Sequence, residues 1–277
     1  MAKDDFSRAT WRLLMSPPLD GATNMAIDEA MAEAAAAGEA PPTLRFYQWV
    51  PPCLSLGRNQ PVAEVDRAAC AVRGYDVVRR PTGGRSILHT DELTYSVTGP
   101  AGEPRLAGGV LDAYLRLAEA LQLGLERLGL PVEKAPGSTR TGPDVSAACF
   151  EVPSAYEITV AGKKLIGSAQ SRRQGWVLQH GSLPLYGDIT RVVECLHLPA
   201  PGERAALREM LATRATTLAE VMPQPPSFDE VVQVMIEAFQ ETLNIDLVPE
   251  ALNPAEDARV TRLLASHYRS EAWTARI

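Results

Sequence analysis

The hydrophobic and polar positions of this chain follow two periods, and the change between them predicts both helices and strands. Leucines recur at helical spacing through 108–130, which predicts the longest amphipathic helix. The Ala- and Glu-rich segment 23–37 predicts an earlier helix, with Thr23 as its N-cap and Gly38 as its stop. Further helices are predicted at 61–74, 201–221, 228–243 and 253–270.

Apolar runs of strand length lie between these helices. Segments 44–49, 53–57 and 75–80 predict early strands. Segment 155–186 predicts three consecutive strands joined by turns at Ala161-Gly162 and Gln174-Gly175, which is a β-meander. Because strands follow one another without regular helical crossovers, the pattern favours the α+β class.

Composition narrows the class of protein. The chain has 277 residues and an ordinary hydrophobic fraction of 45%. Its net charge of −7 argues against a nucleic-acid partner, which usually requires a basic surface. The apolar stretches are shorter than the ~18 residues of a membrane span, and the N-terminus carries acids where a signal peptide is basic. A cytoplasmic protein that is not bound to a membrane is therefore expected.

Basic residues form two groups along this acidic chain. The groups are Arg79, Arg80 and Arg85, and then Lys163, Lys164, Arg172 and Arg173. If the fold brings them together, they form a basic face suited to an acidic partner. The alternative is that these residues are a few solvated cations at strand ends, and the charge count alone supports this alternative equally well.

The sequence PTGG at 81–84 stands between two strand-like runs, beside two arginines. Since a Gly-Gly pair supplies the positive φ of tight turns, the simpler interpretation is a hairpin. In the other interpretation, backbone N–H groups exposed by Gly83 and Gly84 face an anionic or carbonyl-bearing group. The two interpretations are compatible.

Four cysteines occur without a C-x-x-C spacing, so neither a zinc site nor a disulfide framework is indicated. Cys149 follows a Gly- and Pro-containing loop and precedes a strand. Most cysteines are small buried hydrophobes, but a nearby ammonium would lower the thiol pKa and produce a nucleophile. Lys164 is the candidate cation, because side-chain alternation directs Lys163 to the opposite face. Core packing is expected for Cys53, Cys70 and Cys195.

Two histidines and two glycine pairs complete the candidate chemistry. His89 and His180 are either acid–base groups or polar strand ends. The pairs Gly167-Ser168 and Gly181-Ser182 would let a ligand approach two adjacent strands closely, as the walls of a pocket.

Five motifs, in their order along the chain, resemble the biotin/lipoate protein ligase superfamily. They are LGRNQ at 56–60, RRPTGGRSILHTDELTYS at 79–96, CFEVPSAYE at 149–157, GKKLIGSAQSRR at 162–173 and QHGSLPL at 179–185. Within the superfamily the pattern is similar to the octanoyltransferases of lipoate assembly. The resemblance implies a catalytic domain over 20–250, with a mixed or antiparallel sheet flanked by helices, and a helical C-terminal extension over 251–277.

The resemblance also implies residue roles. Cys149 matches the acyl-thioester cysteine of the family, and Lys164 matches the lysine that lowers its pKa. The implied substrate-binding residues are Arg80, Gly83, Gly84, His89, Gly167, Ser168, His180 and Gly181. Thr90 departs from the family pattern, which usually has an aspartate after the histidine.

The implied reaction moves an octanoyl group from octanoyl-acyl carrier protein, through a cysteine thioester, to a lysine of a lipoyl domain such as glycine-cleavage H protein. No ATP, metal or other cofactor is implied, and a monomer is expected. An ATP-dependent lipoate-protein ligase is the nearest alternative, since it shares the fold and the glycine-rich loop but needs no cysteine. A catalytically silent protein that binds acyl carrier protein or a lipoyl domain is a third.

Overall fold

The computed structural model describes residues 6–134 and 157–277. Helices and strands are mixed along the chain, which confirms the α+β class. The strands are β1 Ala9–Met15, β2 Thr43–Tyr47, β3 Cys53–Leu56, β4 Asp76–Arg79, β5 Ile87–His89, β6 Glu92–Pro100, β7 Val132–Lys134, β8 Ile158–Val160, β9 Lys163–Arg173, β10 Trp176–Pro184 and β11 Ile245–Pro249. The α-helices are α1 Gly21–Ala36, α2 Arg67–Val72, α3 Val110–Arg127, α4 Glu203–Arg214, α5 Leu218–Val221, α6 Phe228–Leu243, α7 Pro254–Leu263 and α8 Glu271–Thr274.

A mixed sheet forms the centre of the molecule. Across the described residues it has eight strands, in the order β11-β1-β2-β6-β10-β9-β8-β7. The strand pairs β11–β1 and β1–β2 are parallel, and β2–β6 and β6–β10 are antiparallel. The predicted meander is confirmed as β8, β9 and β10, whose turns place Ala161-Gly162 and Gln174-Gly175 at positive φ.

Helices cover both faces of this sheet. Helices α3 and α6 pack on the face that carries Leu44 and Phe46, and their apolar side chains join the largest core cluster. Because side chains alternate along β2, Arg45 and Tyr47 point to the other face, where α1 lies. Helix α1 begins earlier than predicted, since Asp20 is its N-cap and accepts a hydrogen bond from the Thr23 N–H at 2.9 Å.

The predicted hairpin across residues 81–84 is wrong. Strands β4 and β5 belong to a separate three-stranded sheet, in which β3 lies between them. Strand β3 pairs in parallel with β4 and antiparallel with β5, so the segment 80–86 crosses over β3 and does not form a tight turn. The predicted helix at 61–74 is also shorter than expected, because it divides into a 3₁₀ turn, Val62–Glu64, and α2.

The C-terminal helices pack against the rest of the chain. The Arg12 guanidinium forms a buried ion pair with Glu256 at the start of α7. Leu263 and Tyr268 enter a core cluster with Met25 of α1. The Arg79 guanidinium donates to the Thr274 carbonyl at 2.8 Å. Residues 251–277 thus contribute buried contacts to the fold.

Candidate functional site

The register of β9 against β10 distributes the predicted site residues over two faces of the large sheet. Gly181 pairs with Ser168, and His180 pairs with Ala169. Since neighbouring residues of a strand point to opposite faces, Ser168 and Gly181 share one face and His180 points to the other. Each glycine pair therefore presents one residue to each face of the sheet, and their role as walls of a pocket stays a prediction.

Gly181 is required by the close packing on the first face. A Cβ atom added there would lie 2.6 Å from the Tyr95 ring and 2.6 Å from the Ser168 Oγ. The Tyr95 hydroxyl lies 2.8 Å from that Oγ and accepts a hydrogen bond from Gln179 at 3.0 Å. Burial raises the pKa of Tyr95 to about 12, so the phenol is neutral at physiological pH.

Asp28 of α1 is the centre of a buried polar cluster on the other face. Its Oδ1 accepts hydrogen bonds from Arg45 Nη1 and Ser96 Oγ, each at 2.8 Å. Its Oδ2 lies 2.9 Å from the Tyr47 hydroxyl and 3.2 Å from His180 Nδ1. Burial alone would raise the pKa of Asp28, but the His180 hydrogen bond and the Arg45 charge outweigh burial and lower it.

His180 links this cluster to the glycine-rich loop. Its Nε2 lies 2.6 Å from the Thr82 Oγ1. Burial lowers the pKa of His180, which favours the neutral imidazole. With Nδ1 donating to the Asp28 carboxylate, Nε2 accepts from the Thr82 hydroxyl. Both ring nitrogens are thus occupied, which favours a positioning role for His180 over proton transfer.

A second buried chain of hydrogen bonds reaches the same loop through His89. Its Nδ1 lies 2.7 Å from the Glu92 carboxylate, and its Nε2 lies 2.8 Å from the Ser55 hydroxyl. Arg80 donates to that hydroxyl at 3.1 Å and to the Gly83 carbonyl at 2.7 Å. Burial opposes ionisation of Glu92, but the interactions with His89 prevail and lower the pKa of this carboxyl. Through its hydrogen bond to the Gly83 carbonyl, the Arg80 guanidinium holds the loop in place from the protein interior.

The loop tip itself is exposed at Gly83 and Gly84. Gly84 has a φ of +93°, which favours glycine. The first motif packs directly under this tip, since a Cβ on Gly57 would lie 1.8 Å from the Gly84 carbonyl oxygen. The motifs LGRNQ and RRPTGGR thus form one structural unit, and the Arg58 N–H donates to the Thr82 carbonyl at 2.8 Å.

Lys164 lies at the start of β9 and is only 3% exposed. Its ammonium forms an ion pair with Glu157. As the strand alternation predicts, Lys163 points elsewhere and donates to the Ala212 carbonyl at 2.8 Å. Cys149 lies outside the described residues. The other cysteines, Cys53, Cys70 and Cys195, are buried and free, in agreement with core packing.

The two basic groups do meet, because the Arg173 guanidinium donates to the Pro81 carbonyl at 2.7 Å. They do not form the basic face that was one of the expectations. Arg79, Arg80 and Lys164 are buried and serve internal contacts. Thr90, the position that departs from the family pattern, accepts a hydrogen bond from Arg191 at 2.8 Å.

Sequence reasoning missed the residues that hold the histidines in place. Asp28 lies 152 positions from His180, and Thr82 lies 98 positions from it, so no local pattern connects them. One weak signal in the sequence does point to Asp28. It is an acid next to Ile27 in an Ala-rich helix whose residues are mostly buried, and a buried acid needs a polar partner.

The described part of the chain carries neither a candidate metal site nor a candidate membrane span. Residues 6–134 and 157–277 contain no cluster of three His, Cys, Asp or Glu side chains that could hold a metal ion. None of the helices described is both long and apolar enough to cross a membrane.

Comparison with known proteins extends this picture. Residues 20–240 match the lipoyl protein ligase A/B catalytic domain family. The octanoyltransferase LipM of Moorella thermoacetica is 42% identical over 269 residues, which cover 96% of this chain and 98% of that protein.

Solved structures share the fold. A bipartite lipoate protein ligase from Thermoplasma acidophilum, studied with its E2 lipoyl domain, superposes with a TM-score of 0.82 at 24% identity, over 97% of this chain and 98% of that chain. A lipoate-protein ligase A bound with ATP gives a TM-score of 0.77 at 25% identity, over 97% of this chain and 99% of that chain.

The chain therefore belongs to the lipoyl protein ligase A/B catalytic domain family. Within this family it falls among the octanoyltransferases, which are acyltransferases. The resemblance inferred from the five motifs is confirmed.

Proposed function

We propose that this protein transfers an octanoyl group from octanoyl-acyl carrier protein to a lysine of a lipoyl domain, such as that of glycine-cleavage H protein. In this proposal the acyl group passes through a thioester on Cys149. The enzyme acts in the cytoplasm as a monomer, without ATP or a metal ion.

The observation that carries this proposal is the buried ion pair between Lys164 and Glu157. Along the chain, Glu157 directly precedes β8 and follows the segment that contains Cys149, and Lys164 lies at the start of β9. A buried ammonium is costly unless it is paired, and the Glu157 carboxylate offsets part of the Lys164 charge, so a neighbouring thiol responds to the ammonium when it lies nearer to Lys164 than to Glu157. Within a few ångströms of a thiol, such a charge lowers the thiol pKa and increases the thiolate fraction.

In the first half-reaction the Cys149 thiolate attacks the carbonyl carbon of the donor thioester. Backbone N–H groups stabilise the tetrahedral oxyanion. Attack forms the new C–S bond to Cys149, and collapse of the tetrahedral intermediate then breaks the C–S bond to the phosphopantetheine arm. The departing thiolate takes up a proton and leaves as a thiol.

In the second half-reaction the neutral ε-amine of the acceptor lysine attacks the enzyme thioester. A C–N bond forms, the C–S bond to Cys149 breaks, and the nitrogen loses a proton as the amide is produced. Cys149 returns to the thiolate, which the Lys164 charge stabilises. A covalent intermediate of this kind predicts ping-pong kinetics.

The two hydrogen-bond chains give the loop at 80–85 its part in this scheme. Arg80 holds the Gly83 carbonyl, and Thr82 is held by His180. The His180–Thr82 contact is buried and the Arg80–Gly83 contact is partly buried, whereas the glycine tip is exposed. A loop fixed from inside can present its outer N–H groups to an acyl carbonyl without rearranging, which is the condition for effective electrostatic stabilisation.

The rival proposal, an ATP-dependent ligase, is supported by the ATP-bound lipoate-protein ligase A that shares the fold. The two functions differ in co-substrate, so purified enzyme is incubated with a lipoyl domain under two conditions. One reaction contains octanoyl-acyl carrier protein with EDTA and no ATP. The other contains free octanoate, ATP and magnesium. We expect the lipoyl domain to gain one octanoyl group, seen by mass spectrometry, in the first reaction only.

Modification confined to the reaction with ATP would establish the ligase and contradict the proposal. If neither reaction modifies the lipoyl domain while the protein still binds acyl carrier protein, the protein would be a silent binding protein.

A further inference from the structure

Most arginines on the described surface are paired with a carboxylate within 4.0 Å. These arginines are Arg8, Arg67, Arg73, Arg85, Arg127, Arg191, Arg204, Arg208, Arg259, Arg262 and Arg269. Such pairing is expected in a chain with 34 acids and 27 bases. An arginine that lacks a carboxylate partner is therefore an exception that needs a reason.

Three exceptions meet at the glycine-rich loop. Arg58 stands between Gly57, which packs under Gly84, and Asn59. One of its guanidinium nitrogens is buried without a hydrogen-bond partner. Arg173 donates to the Pro81 carbonyl at 2.7 Å, and Arg276 donates to the Asn59 side chain at 3.4 Å. Among the described residues, none of these three guanidinium groups has a carboxylate within 4.0 Å.

Aromatic rings lie next to two of these cations. The Arg276 guanidinium lies 4.6 Å from the centroid of the Trp273 ring, and the Arg173 guanidinium lies 5.8 Å from that of Trp176. Stacking on a ring holds a guanidinium in place without neutralising its charge. The three arginines thus form a positively charged rim beside the exposed Gly83 and Gly84.

Two other partly exposed arginines for which the described structure shows no carboxylate partner do not belong to this rim. Arg116 donates to the Ala107 carbonyl at 2.7 Å, and Arg172 donates to the Leu106 carbonyl. Both hold the segment before α3, and Asp112 acts electrostatically on Arg172. These contacts with backbone carbonyls give Arg116 and Arg172 a structural role. Of the rim arginines, Arg173 makes a comparable contact, with the Pro81 carbonyl.

We propose that the arginine rim, Arg58, Arg173 and Arg276, is the docking surface for the acidic carrier protein that delivers the acyl thioester. This inference rests on the proposed function and identifies the surface that serves it. Unpaired cations gathered on an acidic protein complement an anionic partner and steer its approach. Their position beside the loop would bring the thioester arm of the docked carrier to the glycine tip.

The test compares a charged and an uncharged donor. Arg58→Gln, Arg173→Gln, Arg276→Gln and the triple variant are assayed with octanoyl-acyl carrier protein and with octanoyl-N-acetylcysteamine, at saturating lipoyl domain. Arg67→Gln and Arg262→Gln are matched controls, because these exposed arginines are already paired with Glu271 and Glu33. Thermal unfolding of each variant checks that the fold is retained.

We expect the triple variant to raise KM for octanoyl-acyl carrier protein by about tenfold, with kcat within about twofold of wild type. Kinetics with the uncharged thioester stay unchanged, and both controls behave as wild type. Added salt should raise the wild-type KM and have a smaller effect on the triple variant.

Equal losses with both donors would overturn the inference, because the arginines would then act on the acyl site or the fold. A rise in KM for the lipoyl domain instead would assign the rim to the acceptor. If wild-type enzyme uses the uncharged thioester but not the carrier-bound one, the rim has no carrier to dock. If it uses neither, the proposed function itself fails.

Discussion

Replacing Lys164 by methionine is expected to slow octanoyl transfer at neutral pH by at least about tenfold, because the thiol pKa of Cys149 would rise by about one unit or more. Methionine keeps much of the length and apolar character of the lysine stem but removes the charge, and because it leaves the buried Glu157 carboxylate without this partner, thermal unfolding must show that the variant is folded. The measurement is the rate of iodoacetamide alkylation of Cys149 against pH, together with the transfer rate. In the variant both profiles should move to higher pH.

Two companion variants separate charge from packing. Lys164→Arg keeps a cation beside Glu157 and should retain a low thiol pKa. Lys163→Met removes the neighbouring lysine, which points to the Ala212 carbonyl, and should leave both profiles unchanged. An alkylation profile for Lys164→Met that matches the wild type would remove Lys164 from the proposed mechanism.

Replacing Asp28 by alanine is expected to have the largest effect on stability, a loss of about 3–5 kcal/mol in the free energy of unfolding. The Arg45 side chain, which forms an ion pair with Asp28, is fully buried, so the variant would leave a buried guanidinium without its carboxylate. His180 would also lose the partner that orients Nδ1. Denaturant unfolding followed by circular dichroism gives the difference directly.

Glu33→Ala provides a control on the same helix. Glu33 pairs with Arg262 at the surface, where an exposed ion pair contributes about 0–1 kcal/mol. Unfolding free energies for Asp28→Ala and Glu33→Ala that agree within about 1 kcal/mol would contradict the assignment of Asp28 as a buried centre. Thr82→Val tests the link to the loop, because it removes the hydroxyl that donates a hydrogen bond to His180 Nε2. The ion pair between Asp28 and Arg45 stays in place in this variant.

Local patterns were enough to predict the elements whose contacts are local. The meander of β8, β9 and β10 follows from strand-like runs separated by two-residue turns, and α3 follows from its leucine spacing. The predicted N-cap of α1, Thr23, lies three residues after the observed one, Asp20. Both residue types are good N-caps, so the local sequence does not decide between them.

Non-local pairing explains most of what the sequence did not predict. Strand β3 inserts between β4 and β5, and parallel pairing of β3 with β4 leaves no turn signature in the chain. The same is true of the site. Gly83, Gly84, His89 and His180 stand out as residue types, but their anchors Asp28, Ser55, Thr82 and Glu92 are common polar residues until the fold joins them.

The measurement that tests the central claim most directly is the intact mass of the purified protein after incubation with octanoyl-acyl carrier protein in the absence of ATP. Wild type and Cys149→Ala are compared. The proposed mechanism predicts one octanoyl adduct on the wild type, released by neutral hydroxylamine, and no adduct on the variant. An adduct that persists in Cys149→Ala, or a wild type that modifies lipoyl domains only with free octanoate and ATP, would contradict it.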